Sequence, residues 1–150
     1  MSNTSEKPSS RYTVRVRFGE TDLMGIVHHS VYLSYFEAGR VEYMHRRGVD
    51  YVDWTRRGIH LPVVEANLRY RKMARFDELL VVETSLEAIS RVTVRFGYRI
   101  LRDREDAELV AEGYTLLACV NNDHMVTRVP EDLAAILQGP ETHPRPANEV

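Results

Sequence analysis

A single cysteine, Cys119, stands in the 150-residue chain. No disulfide can form within it, and nothing in its composition calls for an oxidising compartment. An excess charge of either sign is also missing: twenty Lys and Arg against twenty-two Asp and Glu leave −2 at pH 7, with six histidines neutral. A nucleic-acid binder draws most of its affinity from a basic excess, and a polybasic membrane-surface protein needs one as well, so both classes are excluded. No stretch approaches the roughly 18 apolar residues of a membrane span. Residues 1–8 lack the apolar core of a signal peptide. There is no glycine-rich phosphate loop, no dinucleotide fingerprint and no Gly-x-Ser-x-Gly elbow. His28 and His29 are adjacent, while His45, His60, His124 and His143 stand apart without acidic or cysteine partners at ligand spacing, so no metal site is expected. What is present, 43% hydrophobic and 28% charged residues, is ordinary for a globular protein. The expectation is a soluble cytoplasmic domain with no nucleic-acid partner and no membrane span.

Both ends read as disordered tails. Residues 1–10 are polar without an apolar anchor, and residues 139–150 carry Pro140, Pro144 and Pro146 among polar neighbours, too little apolar surface to offset ordering entropy. Residues 11–138 are then a single domain. Alternation of Tyr12, Val14, Val16 and Phe18 with polar residues predicts a first strand over Tyr12–Phe18. A loop over residues 19–30 precedes a helix from Val31 to Arg47 whose apolar residues cover more than a narrow stripe, so most of its circumference should be buried. Ser30 is the expected N-cap and Gly48 the left-handed terminator. A short helix follows at Tyr51–Arg57, capped by Asp50.

Four strands are predicted next, over about residues 60–72, 79–89, 91–103 and 108–121, and a last short helix opens at Pro130 and ends near Gly139. In the third strand Val92, Val94, Phe96, Tyr98 and Ile100 alternate with Arg91, Thr93, Arg95, Gly97 and Arg99, which implies one covered and one polar face, as antiparallel sheets often have. One early helix followed by a run of strands is an α+β layout, not a doubly wound one. An antiparallel sheet wrapped around one long central helix accounts for the broad apolar surface of residues 31–47.

The segment Phe18-Gly-Glu-Thr-Asp-Leu-Met-Gly-Ile-Val-His-His-Ser-Val-Tyr-Leu-Ser-Tyr-Phe-Glu-Ala-Gly-Arg40 resembles the signature of the hotdog-fold acyl-CoA thioesterases. It is closest to the branch that includes 4-hydroxybenzoyl-CoA thioesterase and the Tol-Pal-associated acyl-CoA thioesterases. Asp22, Gly25, Ile26, Val27, His29, Tyr32, Phe36, Glu37 and Arg40 fall on that pattern, and Tyr70 to Leu80 resembles the second recurring segment. The resemblance covers most of residues 11–138 and implies a hotdog thioesterase domain that hydrolyses an acyl-CoA thioester to free acid and CoA. It implies that Asp22 carries the chemistry and that the backbone N–H at His29 is an oxyanion donor. Gly25, Ile26, Val27 and His28 fall beside them as substrate-binding candidates. Val31 and His28 depart from the pattern, which commonly has Asn and then Tyr or Trp at these places; the Asn amide usually ties the loop to the helix entrance.

The chemistry is compatible with the residues. A carboxylate attacks a thioester directly or serves as general base for water, and the unpaired N–H groups and dipole at a helix start stabilise an oxyanion. Nucleophile and general base both remain open for Asp22, as does a side-chain role for His29. Glu37 is either a structural charge beside Arg40 or a substrate contact. CoA brings phosphates that Arg binds well, and the clusters Arg69, Arg71, Lys72, Arg75 and Arg91, Arg95, Arg99 offer candidates, with Arg71 and Arg91 foremost. No metal or redox cofactor is expected, CoA being part of the substrate. A non-catalytic acyl-CoA or fatty-acyl binding module and a thioesterase acting on acyl-carrier-protein substrates are the alternatives. A sheet edge needs covering, and the resemblance implies a homodimer or homotetramer with active sites at the dimer interface. Cys119, in an apolar strand, is expected to serve packing alone.

Overall fold

The computed structural model describes residues 7–143; residues 1–6 and 144–150, parts of both expected tails, lie outside the described residues. Five strands make one antiparallel sheet: β1 (Ser9–Arg15), β2 (Val63–Tyr70), β3 (Leu79–Ile89), β4 (Thr93–Arg102) and β5 (Leu109–Ala118), in the order β1-β3-β4-β5-β2. One long helix, α1 (Val31–His45), packs against β1, β3 and β4; α2 (Tyr51–Arg56) follows it in the chain, and α3 (Glu131–Gln138) packs against β3. This is the expected α+β arrangement. Among the described residues no helix is long and apolar enough to cross a membrane.

The alternation in β4 sorts its side chains as the period of two requires. Val94, Phe96, Tyr98 and Ile100 are buried under α1. Tyr98 stacks on Phe36 with centroids 4.3 Å apart, and Phe96 meets Tyr43 edge-on at 5.3 Å. On the other face Arg95 pairs with Glu87 at 2.9 Å and Arg99 with Glu83 at 3.1 Å. Phe36, Tyr43 and Met44 fill the core from α1, while Leu33, Ser34 and Glu37 leave one face of its N-terminal half in solvent. Gly39 lets the helix approach β3: a Cβ there would stand 2.5 Å from Thr84 Oγ1 and 2.6 Å from Val82 Cγ1.

Helix boundaries follow their chemistry, with one correction. Asp50 caps α2, accepting from the Val52 and Asp53 N–H groups. Ser30 does not cap α1. It is already helical, the Val31 N–H is satisfied by the His28 carbonyl at 2.9 Å, and the Ser30 hydroxyl turns to His28 Nδ1 at 2.9 Å.

The first strand also differs from the expected Tyr12–Phe18. It ends at Arg15, because the Glu20 carboxylate accepts the Arg17 N–H at 2.8 Å and the Glu20 N–H donates to the Arg17 carbonyl at 2.9 Å, bending residues 18–20 into a 3-10 turn. Phe18 is thereby turned out, 77% exposed. At its start the strand takes in Ser9 and Ser10, paired with Ser85 and Thr84. Arg47, buried at the end of α1, holds Ser9 O, Ser10 Oγ and Gly139 O, and the Arg46 carbonyl accepts the N–H groups of Thr142 and His143 at 2.7 Å. Parts of the expected tails are therefore ordered where buried guanidinium groups and a helix end need partners.

Candidate active site

The loop between β1 and α1 folds back on itself. The Asp22 N–H donates to Ile26 O, the Gly25 N–H to Asp22 O and the Met24 N–H to Asp22 Oδ1, at 2.9, 2.9 and 2.8 Å. Gly25 has φ +77°, the left-handed conformation this reversal needs. Short bridges join Thr21 to Val27 and Ile26 to Arg75, and the Val27 N–H reaches Ala74 O at 2.9 Å. The loop is thus pinned to the segment between β2 and β3. Val27 is buried and serves as its anchor, Ile26 is half-buried, and Gly25, His28 and His29 are exposed.

Asp22 is half-buried, and its Oδ2 accepts no hydrogen bond from the described residues. The backbone N–H of His29 likewise has no intramolecular acceptor among them, whereas those on either side do: His28 N–H bonds to Glu20 O at 2.9 Å, and Ser30 N–H leans on His28 Nδ1 at 3.3 Å. The His28 and His29 rings lie 4.3 Å apart. The His29 carbonyl accepts from Tyr70 Oη at 3.0 Å, which ties the helix entry to the end of β2. An open hollow of about 820 Å³ is lined by Phe18, Thr21, Asp22, Gly25, His28 and Phe76, among others, a size suited to a small-molecule site.

The remaining candidates separate. Glu37 is exposed on α1 and makes no ion pair with Arg40, whose guanidinium turns inward to Tyr98 Oη at 3.1 Å. Arg71, just past β2, is held by Glu112 at 2.7 Å. Arg91 sits in the turn between β3 and β4, at the far end of the eleven-residue β3 from the loop, about 30 Å along the strand direction. One protomer does not bring these two arginines together. Arg95 and Arg99 are consumed by the outer-face pairs, and Arg95 also lies 3.7 Å over the Tyr114 ring. Cys119 is fully buried, and burial pushes its thiol up.

A family model described as the thioesterase-like superfamily matches residues 16–137, which take in β2 to β5, the loop and all three helices except the last residue of α3. The chain belongs to the thioesterase-like superfamily. Among solved structures, a Thermus thermophilus protein is 41% identical, with a TM-score of 0.79 over 86% of this chain and 95% of that one. A DHNA-CoA thioesterase from Staphylococcus aureus is 32% identical, with a TM-score of 0.75 over 80% of each chain. The acyl-CoA thioesterase YbgC of Haemophilus influenzae is 29% identical over 113 residues, 73% of this chain and 79% of that protein. The sheet and central helix are accordingly the hotdog fold of the thioesterase-like superfamily.

Several residues that shape this thioesterase-like site lie inside the two resembling segments without any role that their residue type predicts. Tyr70 reaches the helix entry from the end of an edge strand, and Phe18 and Phe76 meet edge-on at 5.8 Å across the rim of the hollow. Glu20 and Tyr35 are joined by a 2.8 Å hydrogen bond. That bond spans the loop entry and the second turn of α1.

Proposed function

We propose that the protein hydrolyses acyl-CoA thioesters, with Asp22 as nucleophile or general base and the His29 N–H as oxyanion donor. The observation that carries this reading is the pairing, at one loop-to-helix junction, of a carboxylate whose Oδ2 accepts no hydrogen bond from the described residues and a backbone N–H with no acceptor among them. In the general-base route Oδ2 takes a proton from water, whose oxygen attacks the thioester carbon. In the nucleophilic route Oδ2 attacks first and water cleaves the mixed anhydride. Either way the carbonyl oxygen gains negative charge, which the His29 N–H and the start of α1 stabilise. As that charge collapses back, the C–S bond breaks. In the general-base route the CoA sulfur takes the proton held on Oδ2. In the nucleophilic route CoA leaves as a thiolate that is protonated by solvent, before water cleaves the anhydride. Gly25, Ile26 and Val27 hold the loop in shape, and His28 borders the substrate.

No metal or redox cofactor takes part in this reading. The phosphates of CoA call for free guanidinium groups. Arg75 and Arg91, whose side chains make no ion pair among the described residues, fit that need better than Arg71, which must first release Glu112. The protein is read as a cytoplasmic homodimer, paired along the β2 edge, with dimers able to associate further. Support comes from β2 itself: none of its residues is buried, and Val63, Val64 and Tyr70 are exposed.

The test is Asp22→Asn, nearly equal in volume, assayed by thiol release on a panel of acyl-CoA esters varied in length and aromaticity, with an acyl-carrier-protein thioester alongside. The variant is expected to fold and bind CoA esters while turnover falls at least about 1000-fold. Turnover near that of the parent protein would remove Asp22 from this role.

A further inference from the structure

Glu20 stands two residues before Asp22 yet faces the other way. The residues of this stretch divide between two hollows: Phe18, Gly19, Thr21 and Asp22 line the one described above. Arg17 and Glu20, together with Tyr35, line a separate hollow of about 340 Å³ between β1 and α1. The 17–22 segment is therefore a wall. Its Glu20 side cannot meet a substrate seated against Asp22, so anything Glu20 does for the reaction it does through the wall itself.

Its contacts show what that is. Oε1 accepts the Arg17 N–H at 2.8 Å and the Tyr35 hydroxyl at 2.8 Å, and Oε2 accepts Arg17 Nε and Nη2 at 3.1 and 2.9 Å. The backbone carbonyl of the same residue accepts the His28 N–H at 2.9 Å. One residue thus joins the entry of the loop, the second turn of α1 and the residue preceding His29. Tyr35 is itself only 4% exposed, so its ring is fixed in the core and its hydroxyl is a stationary anchor. Burial pushes the Glu20 carboxyl up, but the hydrogen bonds from Arg17 and Tyr35 outweigh it and hold the group below its ordinary value. The tie is therefore ionised at neutral pH and charge-assisted.

We propose that Glu20 and Tyr35 are positioning residues for thioester cleavage, holding Asp22 on the loop and the His29 N–H at the helix entry in one fixed relation. The proposal rests on the roles given above to Asp22 and His29. Its physical warrant is that both groups must converge on one carbonyl. Displacement by about 1 Å costs on the order of 100-fold in rate while binding of the rest of the substrate is little affected.

The experiment compares Tyr35→Phe, Glu20→Ala, Glu20→Gln and Asp22→Asn in the full chain, reading kcat, KM and thermal melting. Tyr35→Phe keeps the buried ring and is expected to melt near the parent temperature, with kcat lowered about tenfold and KM within about twofold. Glu20→Ala is expected to lower kcat about 100-fold. Glu20→Gln should recover part of that loss, because its amide oxygen still accepts from Arg17 N–H and Tyr35. Unchanged kcat in Tyr35→Phe and Glu20→Ala, with Asp22→Asn inactive, overturns the positioning role alone. An active Asp22→Asn overturns the reading of Asp22 instead. If Glu20→Ala fails to fold, Tyr35→Phe decides: a raised KM with unchanged kcat counts against the proposal, and a lowered kcat supports it.

Discussion

At the scale of single residues, Gly25 is where backbone and chemistry meet. A Cβ added there would touch nothing within 4 Å, but φ is +77°, so Gly25→Ala acts through backbone strain of about 1–2 kcal/mol and not through a clash. Its N–H is bonded to the Asp22 carbonyl, and relief of the strain would move Asp22. Gly25→Ala is therefore expected to lower kcat at least about tenfold while the melting temperature falls only a few degrees, checked by steady-state kinetics beside thermal melts. Cys119 makes the opposite case. It is fully buried, its thiol is pushed up by burial, and it donates toward Arg128 O at 3.7 Å. It is expected to stay unlabelled by a maleimide in the folded protein and to react fully in denaturant. Mass spectrometry checks this.

At the scale of elements, two contacts set how α1 sits. Gly39 has no room for a methyl group between Thr84 Oγ1 and Val82 Cγ1. Gly39→Ala should lift the helix from β3 and cost about 1–3 kcal/mol, read as a lower urea midpoint, despite the better helix propensity of alanine. The loops at this end of the sheet respond to acid. Burial pushes Glu20 and Glu78 up, but hydrogen bonds from Arg17 and Tyr35 to the first, and from Arg102 and the Arg75 N–H to the second, leave both depressed. A depressed carboxyl contributes stability that is fully present above the ordinary glutamate value and lost as pH falls through the folded value. Stability should therefore drop as pH falls through and below the ordinary glutamate value of 4.5. Glu20→Gln should be less stable at neutral pH and show a smaller acid loss, measured by urea unfolding above and below that value.

At the scale of the whole molecule, the proposed assembly turns on the unburied β2 edge. Val63 and Val64 are 44% and 58% exposed at a bulge in the strand, a place where a charge opposes edge pairing. Val64→Lys is expected to shift the protein toward monomer in gel filtration and to reduce turnover with it. A fully active monomer would separate the chemistry from the assembly. Arg71 and Arg91 lie at opposite ends of one sheet, and any site using both must draw them from different protomers.

Much of this was legible in the order of residues. The strict alternation in residues 92–100 gave β4 and its two faces, because a pleated strand leaves no other way to sort them. The breadth of apolar residues in 31–47 gave a buried central helix, and Asp22-x-x-Gly25 before a helix start marked the loop. Other features depended on partners far away in the chain. Ser30 failed as a cap because its backbone is already helical and its hydroxyl is taken by His28 Nδ1, and β1 stopped early because Glu20 captured Arg17. The terminal segments were ordered by Arg46 and Arg47, whose need for acceptors is invisible until the helix end is buried.

By itself, then, the sequence determined the class of fold and the family resemblance and marked Asp22 as the carboxylate to test, since period, composition and short-range spacing encode these locally. Only the tertiary structure decided which groups were spent and which were left over. Hydrogen bonds between residues as distant as Tyr70 and His29 fill some positions and leave Asp22 Oδ2 and the His29 N–H without partners among the described residues. Those vacancies are set by three-dimensional competition for donors and acceptors, which no local pattern records.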